Sequence, residues 1–521
     1  MSTATVKSSN LLFEDSEWDF DRLRIVNDAI EEIALNDLGL DIYPNQIEII
    51  STEQMLDAYS SHGMPLMYNH WSFGKLFAHH ETMYKHGYAG LAYEIVINSS
   101  PCISYCLEEN TMTMQALVIA HAAYGHNHFF KNNYLFRQWT NAEAILDYLN
   151  FAKKYIARCE EEYGADAVER VLDSAHAIMD HGVFRYRRPP RLSMDALIER
   201  TRKRIAYDEA TFNDLWRTLP QPIRDEDQRD DEEDAPDSDE AHAHMMLPEE
   251  NIIYFLEKQS PILRPWQREL LRIVRNLSQY FYPQKQTKVM NEGCATFVHH
   301  YILSELYNQG KIGEGSMLEF LHSHSSVVFQ PTFDDPRYSG INPYALGFAM
   351  MEDIKRICEA PTDEDKEWFP DFAGSEDWRG VLKDAWANYR DESFILQFLS
   401  PKLMRDFRFF SLLDKSSDAN YVVSAIHNEQ GYRDVRTTLA QSYELSRLEP
   451  NIQVTGADLA GDRKLTLRHT LQDSIPLHPE SRDQVLGHIK NLWGHEVELE
   501  EVDENAPEET PEEPKIPAFL Q

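Results

Sequence analysis

Between Pro222 and Pro248 the chain runs through DEDQRDDEEDAPDSDEAHAH with almost no apolar residue. Such a tract cannot bury enough surface to offset the entropy lost on ordering it. It therefore divides the chain into two stretches that must build a core around it. Both flanks carry helical patterning, so the reading is one mainly helical body, residues 1–220 and 251–425, interrupted by a disordered acidic insertion at 221–250.

The formal charge of −37 is concentrated. By count, Arg224 to Glu250 carries about −11 and Glu496 to Gln521 about −9, roughly half the excess in two solvated runs. An acidic chain repels phosphate backbones, so nucleic acid is not expected as a direct partner. The one dense basic region, Arg185, Arg187, Arg188, Arg191 and residues 200–204, reads as a helix end and linker. Five cysteines include no CxxC pair, which suits a reducing compartment rather than a disulfide framework. The N-terminus has acids where a signal peptide needs an apolar core, and no stretch reaches the roughly 18 apolar residues of a membrane span. The expectation is a soluble, cytoplasmic protein.

Residues 17–37 repeat apolar side chains at helical spacing (Phe20, Leu23, Ile25, Ile30, Ile33) and stop at Gly39. HWSFGKLFAHHETMYKHG reads as a further helix, and Ala89 to Ile97, ended by the turn Asn98 to Pro101, as a strand. Helical periodicity returns at 113–128, 141–181, 266–281, 287–309 and 368–412. After Gly431 the alternating pieces Ile452 to Thr455 and Lys464 to Arg468, joined through Ala460, Gly461 and Asp462, read as a hairpin. A small α+β domain at 426–495 and a disordered acidic tail at 496–521 complete the reading.

Histidine carries the chemistry, because the chain holds 21 and many are clustered. In AHAAYGHNHFF, His121 and His126 stand five apart, about 140° around an ideal helix. Only a local bulge, which Gly125 permits, aims both at one ion. In KVMNEGCATFVHHY, the pair Asn291 and Glu292 opens a helix that also carries His299 two turns on. One zinc, or another divalent transition metal, would take His121, His126 and Glu292, with His299 too far along to bind it and left beside it. Zinc peptidases with histidines four apart place a glutamate after the first as the base. Here Ala122 follows His121, so Glu94 or His299 would have to serve. The competing reading is a buried hydrogen-bonded network without metal.

Asp173, His176 and Asp180 share a helical face as a second candidate, with capping or salt-bridging the alternative for the acids and a core role for the histidine. His322 and His324 read as neighbours on one strand face, followed by the turn Asn342, Pro343, Tyr344. His79, His80, His86, His242 and His244 read as solvated. No GxSxG, P-loop or GxGxxG stands in a usable context.

Long motifs in consistent order resemble the SpoVR family, the stage V sporulation protein R group. They are YPNQIEIISTEQMLDAYSSHGMPLMYNHWSFGK from Tyr43, GLAYEIVINSSPCISY from Gly90, HAAYGHNHFFKNN from His121, YPQKQTKVMNEGCATFVHH from Tyr282, INPYALGFAM from Ile341 and GDRKLTLRH from Gly461. The resemblance marks Glu94, Asn98, His121, His126, Phe129, Phe130, Asn132, Asn133, His176, Glu292 and His299 as positions of the family pattern. It implies a role in spore cortex formation or in stress and stationary-phase physiology, and protein partners in a PrkA-like serine kinase and a von Willebrand A-type protein. It supplies no settled activity. The expected architecture is α+β: a large, mainly helical, zincin-like domain with a short sheet, then the small C-terminal domain.

Overall fold

The computed structural model describes residues 10–61, 94–185, 247–332, 335–409, 428–459, 461–472 and 475–503, with scattered positions in 64–82 and the short strands β4 (Leu412–Leu413) and β5 (Val422–Val423). Most of the HWSFGK helix reading, the basic run beyond Arg185, the tract 225–244 with His242 and His244, and the end of the tail lie outside these residues. The fold is α+β, and the chain forms two compact units, residues 1–164 with 279–448, and 165–278 with 449–521.

The first unit is built around two helices that are apolar on every side. Met112–Ile119 is buried throughout and is capped by Thr111, whose hydroxyl accepts from the Met114 N–H at 3.2 Å. It runs directly into a π-helical segment, Ala120–His126, and then Asn127–Asn132. Lys288–Asn308, the helix of Glu292, is buried from Val289 to Val298 except at Glu292 itself. Glycines let these elements close up: a Cβ on Gly293 would stand 2.6 Å from Gly347, on the helix Pro343–Glu359. Phe20–Glu32 packs Leu23, Val26, Ala29 and Ile30 inward, whereas Phe20 and Ile25, read as part of its apolar face, are exposed. Ile25 falls outside the stripe set by Leu23, Val26 and Ile30 at 100° per residue. A three-stranded sheet covers one side, in the order β1 (Asn45–Ile50), β3 (Cys102–Leu107), β2 (Glu94–Ile97), with β1 parallel and β2 antiparallel to β3.

In the second unit the hairpin reading holds: β6 (Asn451–Ala457) pairs antiparallel with β7 (Leu465–Thr470), and Asp458 accepts from the Gly461 N–H at 2.7 Å in the turn. Two boundaries need correction. Val497–Val502, at the expected start of a disordered tail, is the edge strand β8, parallel to β7. The alternation VELEEV sends Leu499 inward and lets Glu498 and Glu500 pair with Lys464 and Arg468, and the helix Pro479–Trp493 makes the crossover that a parallel neighbour requires. Likewise Glu249, placed in the acidic insertion, exchanges two main-chain hydrogen bonds with Val454 at 2.8 and 3.0 Å. All five cysteines are buried and unpaired.

Glu257 is buried in this unit against Arg275, Arg272 and Lys258 at 3.1, 3.0 and 2.8 Å. Burial raises its carboxyl, and Arg275, Lys258 and Arg272 more than reverse this, so it titrates below the usual range. Glu257→Gln should cost about 2 kcal/mol in denaturant unfolding at pH 7, less than a fully buried pair because Arg272 and Lys258 reach solvent. The sign follows from a depressed folded-state pKa: the stabilisation is present above the unfolded value and fades as pH falls through the folded one, so wild type and variant should converge in acid.

Candidate metal centre

The π segment brings His121 and His126 together. One extra residue in the turn carries position i+5 onto the face of i, and the two imidazoles lie 4.6 Å apart at 88°. Gly125 permits this against the Glu292 helix, since a Cβ there would stand 2.5 Å from the Ala295 Cα. Glu292, one turn into Lys288–Asn308, points its Oε2 at His126 Nε2, 3.6 Å away. Ligand atoms of His121, His126 and Glu292 all lie within 4.8 Å of one another. Donors held 2.0–2.1 Å from a tetrahedral ion stand about 3.4 Å apart, so these three would have to draw together by up to about 1.4 Å to hold one.

The surroundings orient the ring nitrogens. His126 Nδ1 meets Asn291 Oδ1 at 3.0 Å; that oxygen accepts only, so Nδ1 carries the proton and Nε2 offers its lone pair to the site. His121 Nδ1 meets His299 Nδ1 at 2.9 Å, and His299 Nε2 meets His324 Nδ1 at 3.0 Å. Burial and neighbouring histidines hold His121 and His299 well below the ordinary imidazole value, and burial with His300 brings His324 down to about 4. The chain of rings is therefore neutral at pH 7. Donation running outward from His121 through His299 to His324 leaves His121 Nε2 free as a ligand.

Glu94, on β2, faces His121 Nε2 at 3.7 Å. Burial, and then Glu292, push its carboxyl up to about 8. Glu292 Oε2 itself is buried without a hydrogen-bond partner among the described residues. A buried carboxylate oxygen left unsatisfied beside a second carboxyl and two imidazoles fits a divalent cation. Asn98 lies at the far end of β2, its amide N–H donating to Thr140 Oγ1 at 2.9 Å, and so braces the strand.

Asp391 carries no sequence signal for this site. Buried, it accepts from the Val289 and Met290 N–H groups at 2.8 and 2.9 Å and so caps the helix that begins just before Asn291 and Glu292. Tyr280, Phe281 and Gln284 carry none either; together with Tyr344, which the sequence places in a turn and the structure in the first turn of Pro343–Glu359, these residues line the cavity of about 390 Å³ onto which His126, Glu94 and Glu292 open. The first three come from a stretch whose helical pattern reads only as packing.

His322 and His324 are not on a strand. They lie on the helix Glu314–Val327, where His322 is exposed and His324 turns inward to His299. Alternation over two residues cannot separate the periods of strand and helix, and the Phe320–His324 spacing is the helical one. Asn342 and Pro343 are the cap and first residue of Pro343–Glu359. Asp173 and His176 lie on Ala165–Ala177, but the helix ends there and Asp180 falls in a separate 3₁₀ turn, Met179–His181, so the three do not share one face. His176, half-buried in the second unit, joins no metal-ligand group among the described residues.

The model of the family described as SpoVR like protein matches residues 17–448, and that of the SpoVR-like C-terminal domain matches 450–504. A protein of Escherichia coli strain K12, described as the uncharacterized protein YcgB, is 57% identical over 499 residues, covering 96% of this chain and 95% of its own. No solved structure matches.

Proposed function

The chain belongs to the SpoVR family, and on that premise we propose that its first unit is a metal-dependent hydrolase centre. The convergence of His121, His126 and the unsatisfied Glu292 carboxylate carries this reading. Zinc or a similar divalent ion held by these three would supply Lewis-acid polarisation of a substrate carbonyl. The protein supplies the rest. Asn291 and His299 fix the imidazoles, Asp391 anchors the Glu292 helix, and Glu94 takes the place of the glutamate absent after His121. A dication beside Glu94 offsets the charge of Glu292, so the Glu94 carboxylate ionises and can accept a proton. The reading extends to envelope or cytoplasmic peptide bonds as substrates.

Protein purified without a histidine tag should contain close to one equivalent of a transition metal by elemental analysis. Less than about a tenth of an equivalent, unchanged in Glu292→Ala, would sink the reading. The raised carboxyl adds a pH signature. Binding expels the proton held on Glu94, so zinc affinity should climb about tenfold per pH unit from about pH 6 and level off above pH about 8. Calorimetry in buffers of different ionisation enthalpy would count that proton, and flat affinity across this range would contradict its position.

One observation favours a second reading, a noncatalytic regulator docking the kinase and von Willebrand A-type proteins of such systems: Ala122 is fully buried where a base would follow His121. Glu94→Gln separates the two. A hydrolase loses turnover with metal content intact, whereas a regulator keeps its partner binding.

A further inference from the structure

The β2 edge of the sheet carries a pattern that the metal site does not explain. β3 donates from Cys102 N–H to Pro44 O at 2.8 Å and, six residues on, from Glu108 N–H to Ile50 O at 2.9 Å. Main-chain groups alternate sides along a strand, so even-numbered residues of β3 face β1 and odd-numbered ones face β2. The register sets Ile103 opposite Ile97 and Tyr105 opposite Ile95. Ile95 and Ile97 therefore exchange their hydrogen bonds with β3, and Glu94 and Val96 turn their N–H and C=O outward. The next outward carbonyl, that of Asn98, accepts from the Tyr280 hydroxyl at 2.8 Å, which confirms the parity. Among the described residues no strand pairs with this edge of β2, and no hydrogen bond reaches the main chain of Val96.

That edge opens onto the metal-site cavity. Glu94, Ile95, Val96 and Ile97 all line it, and side chains that alternate between two faces can border one cavity in succession only where the backbone edge forms its wall. Met64, Phe130, Phe281 and Tyr344 give it apolar walls, and His126 and Glu292 lie at the Glu94 end. A donor and an acceptor at strand spacing, beside apolar walls, are matched by an extended polypeptide backbone.

We propose that this edge of β2, which no described strand pairs, seats an extended L-peptide segment of a protein substrate, which exchanges main-chain hydrogen bonds with Val96 and so brings a peptide carbonyl to the His121, His126 and Glu292 group. The assignment of a scissile carbonyl rests on the hydrolase reading; the strand seat does not. Stem peptides with alternating D-residues break the ladder and are disfavoured.

The test uses a blocked, dansyl-labelled peptide of alternating Val and Ala, with a series of copies N-methylated at one position each. Binding is followed by anisotropy to the full chain, as purified and after chelation. Methylation at the residue whose N–H meets the Val96 carbonyl should weaken binding about tenfold, the loss of one hydrogen bond, and methylation at its immediate neighbours less than about twofold. Val96→Pro removes an N–H that the sheet does not use, so it should keep metal content and circular dichroism yet lose the peptide. Even loss along the series, no loss, or no binding below about 1 mM would overturn the seat. Position-dependent binding without cleavage by metal-loaded protein would sink the hydrolase reading alone. Cleavage indifferent to methylation would sink the seat alone.

Discussion

Glu292→Gln is expected to raise the melting temperature of the metal-free protein and to lower that of the zinc-loaded protein, so that the two ranks cross. Without metal, Glu292 confronts the Glu94 carboxyl inside a cavity wall, and its Oε2 is buried with no partner among the described residues. A neutral amide of the same shape removes a buried charge that lacks a partner, and the metal-free fold should gain about 1 kcal/mol. With zinc, the same change takes one of three protein ligands and should cut affinity at least about a hundredfold. A ligand at 100 times its dissociation constant stabilises by about 2.7 kcal/mol, and that increment would largely vanish. Scanning fluorimetry with and without zinc reads both signs. A loss of stability in both states would instead assign Glu292 a purely structural role.

His121→Ala provides a contrast, because it opens a gap in the histidine chain as well as removing a ligand. Burial holds His299 neutral, and without His121 its Nδ1 loses its hydrogen-bond partner inside the core. That variant should fall in stability with or without zinc, which is why the crossing belongs to Glu292.

The parts of the site visible in the sequence are those fixed by local chemistry. The five-residue spacing from His121 to His126 demands a widened turn, and Gly125 marks where it can form; the π segment stands there. The hairpin of β6 and β7 announced itself by alternation and turn residues. What stayed hidden depends on pairings remote in sequence. Asp391 caps a helix that begins 103 residues earlier, and nothing near it distinguishes it from an ordinary first-turn acid. β8 was concealed by composition: VELEEV sits in a run of glutamates, and its inward Val497 and Leu499 matter only once β7 lies beside them. His324 reads as a strand residue because two histidines two apart mimic a strand, while its partner, His299, lies on another helix.

Gly125→Ala should cost upwards of about 2 kcal/mol and weaken zinc binding about tenfold or more, although alanine is the better helix former. Propensity alone favours the substitution by about 1 kcal/mol. Against it, the new methyl would stand 2.5 Å from the Ala295 Cα and 3.3 Å from its carbonyl oxygen, which are main-chain atoms of a helix buried on all sides and cannot swing aside. Relief requires the π segment and the Glu292 helix to separate. His126 rides on the first and Glu292 on the second, so the 3.6 Å gap between their facing atoms widens with any such movement. Gly487→Ala is the control, since that glycine lies inside the helix Pro479–Trp493 with nothing within 4 Å of the place a Cβ would take, and it should gain up to about 1 kcal/mol. Denaturant unfolding and zinc titration of both variants would check this. Equal stability of Gly125→Ala and wild type would mean that the two helices do not meet at this glycine, and the geometry that joins His126 to Glu292 would fall with that contact.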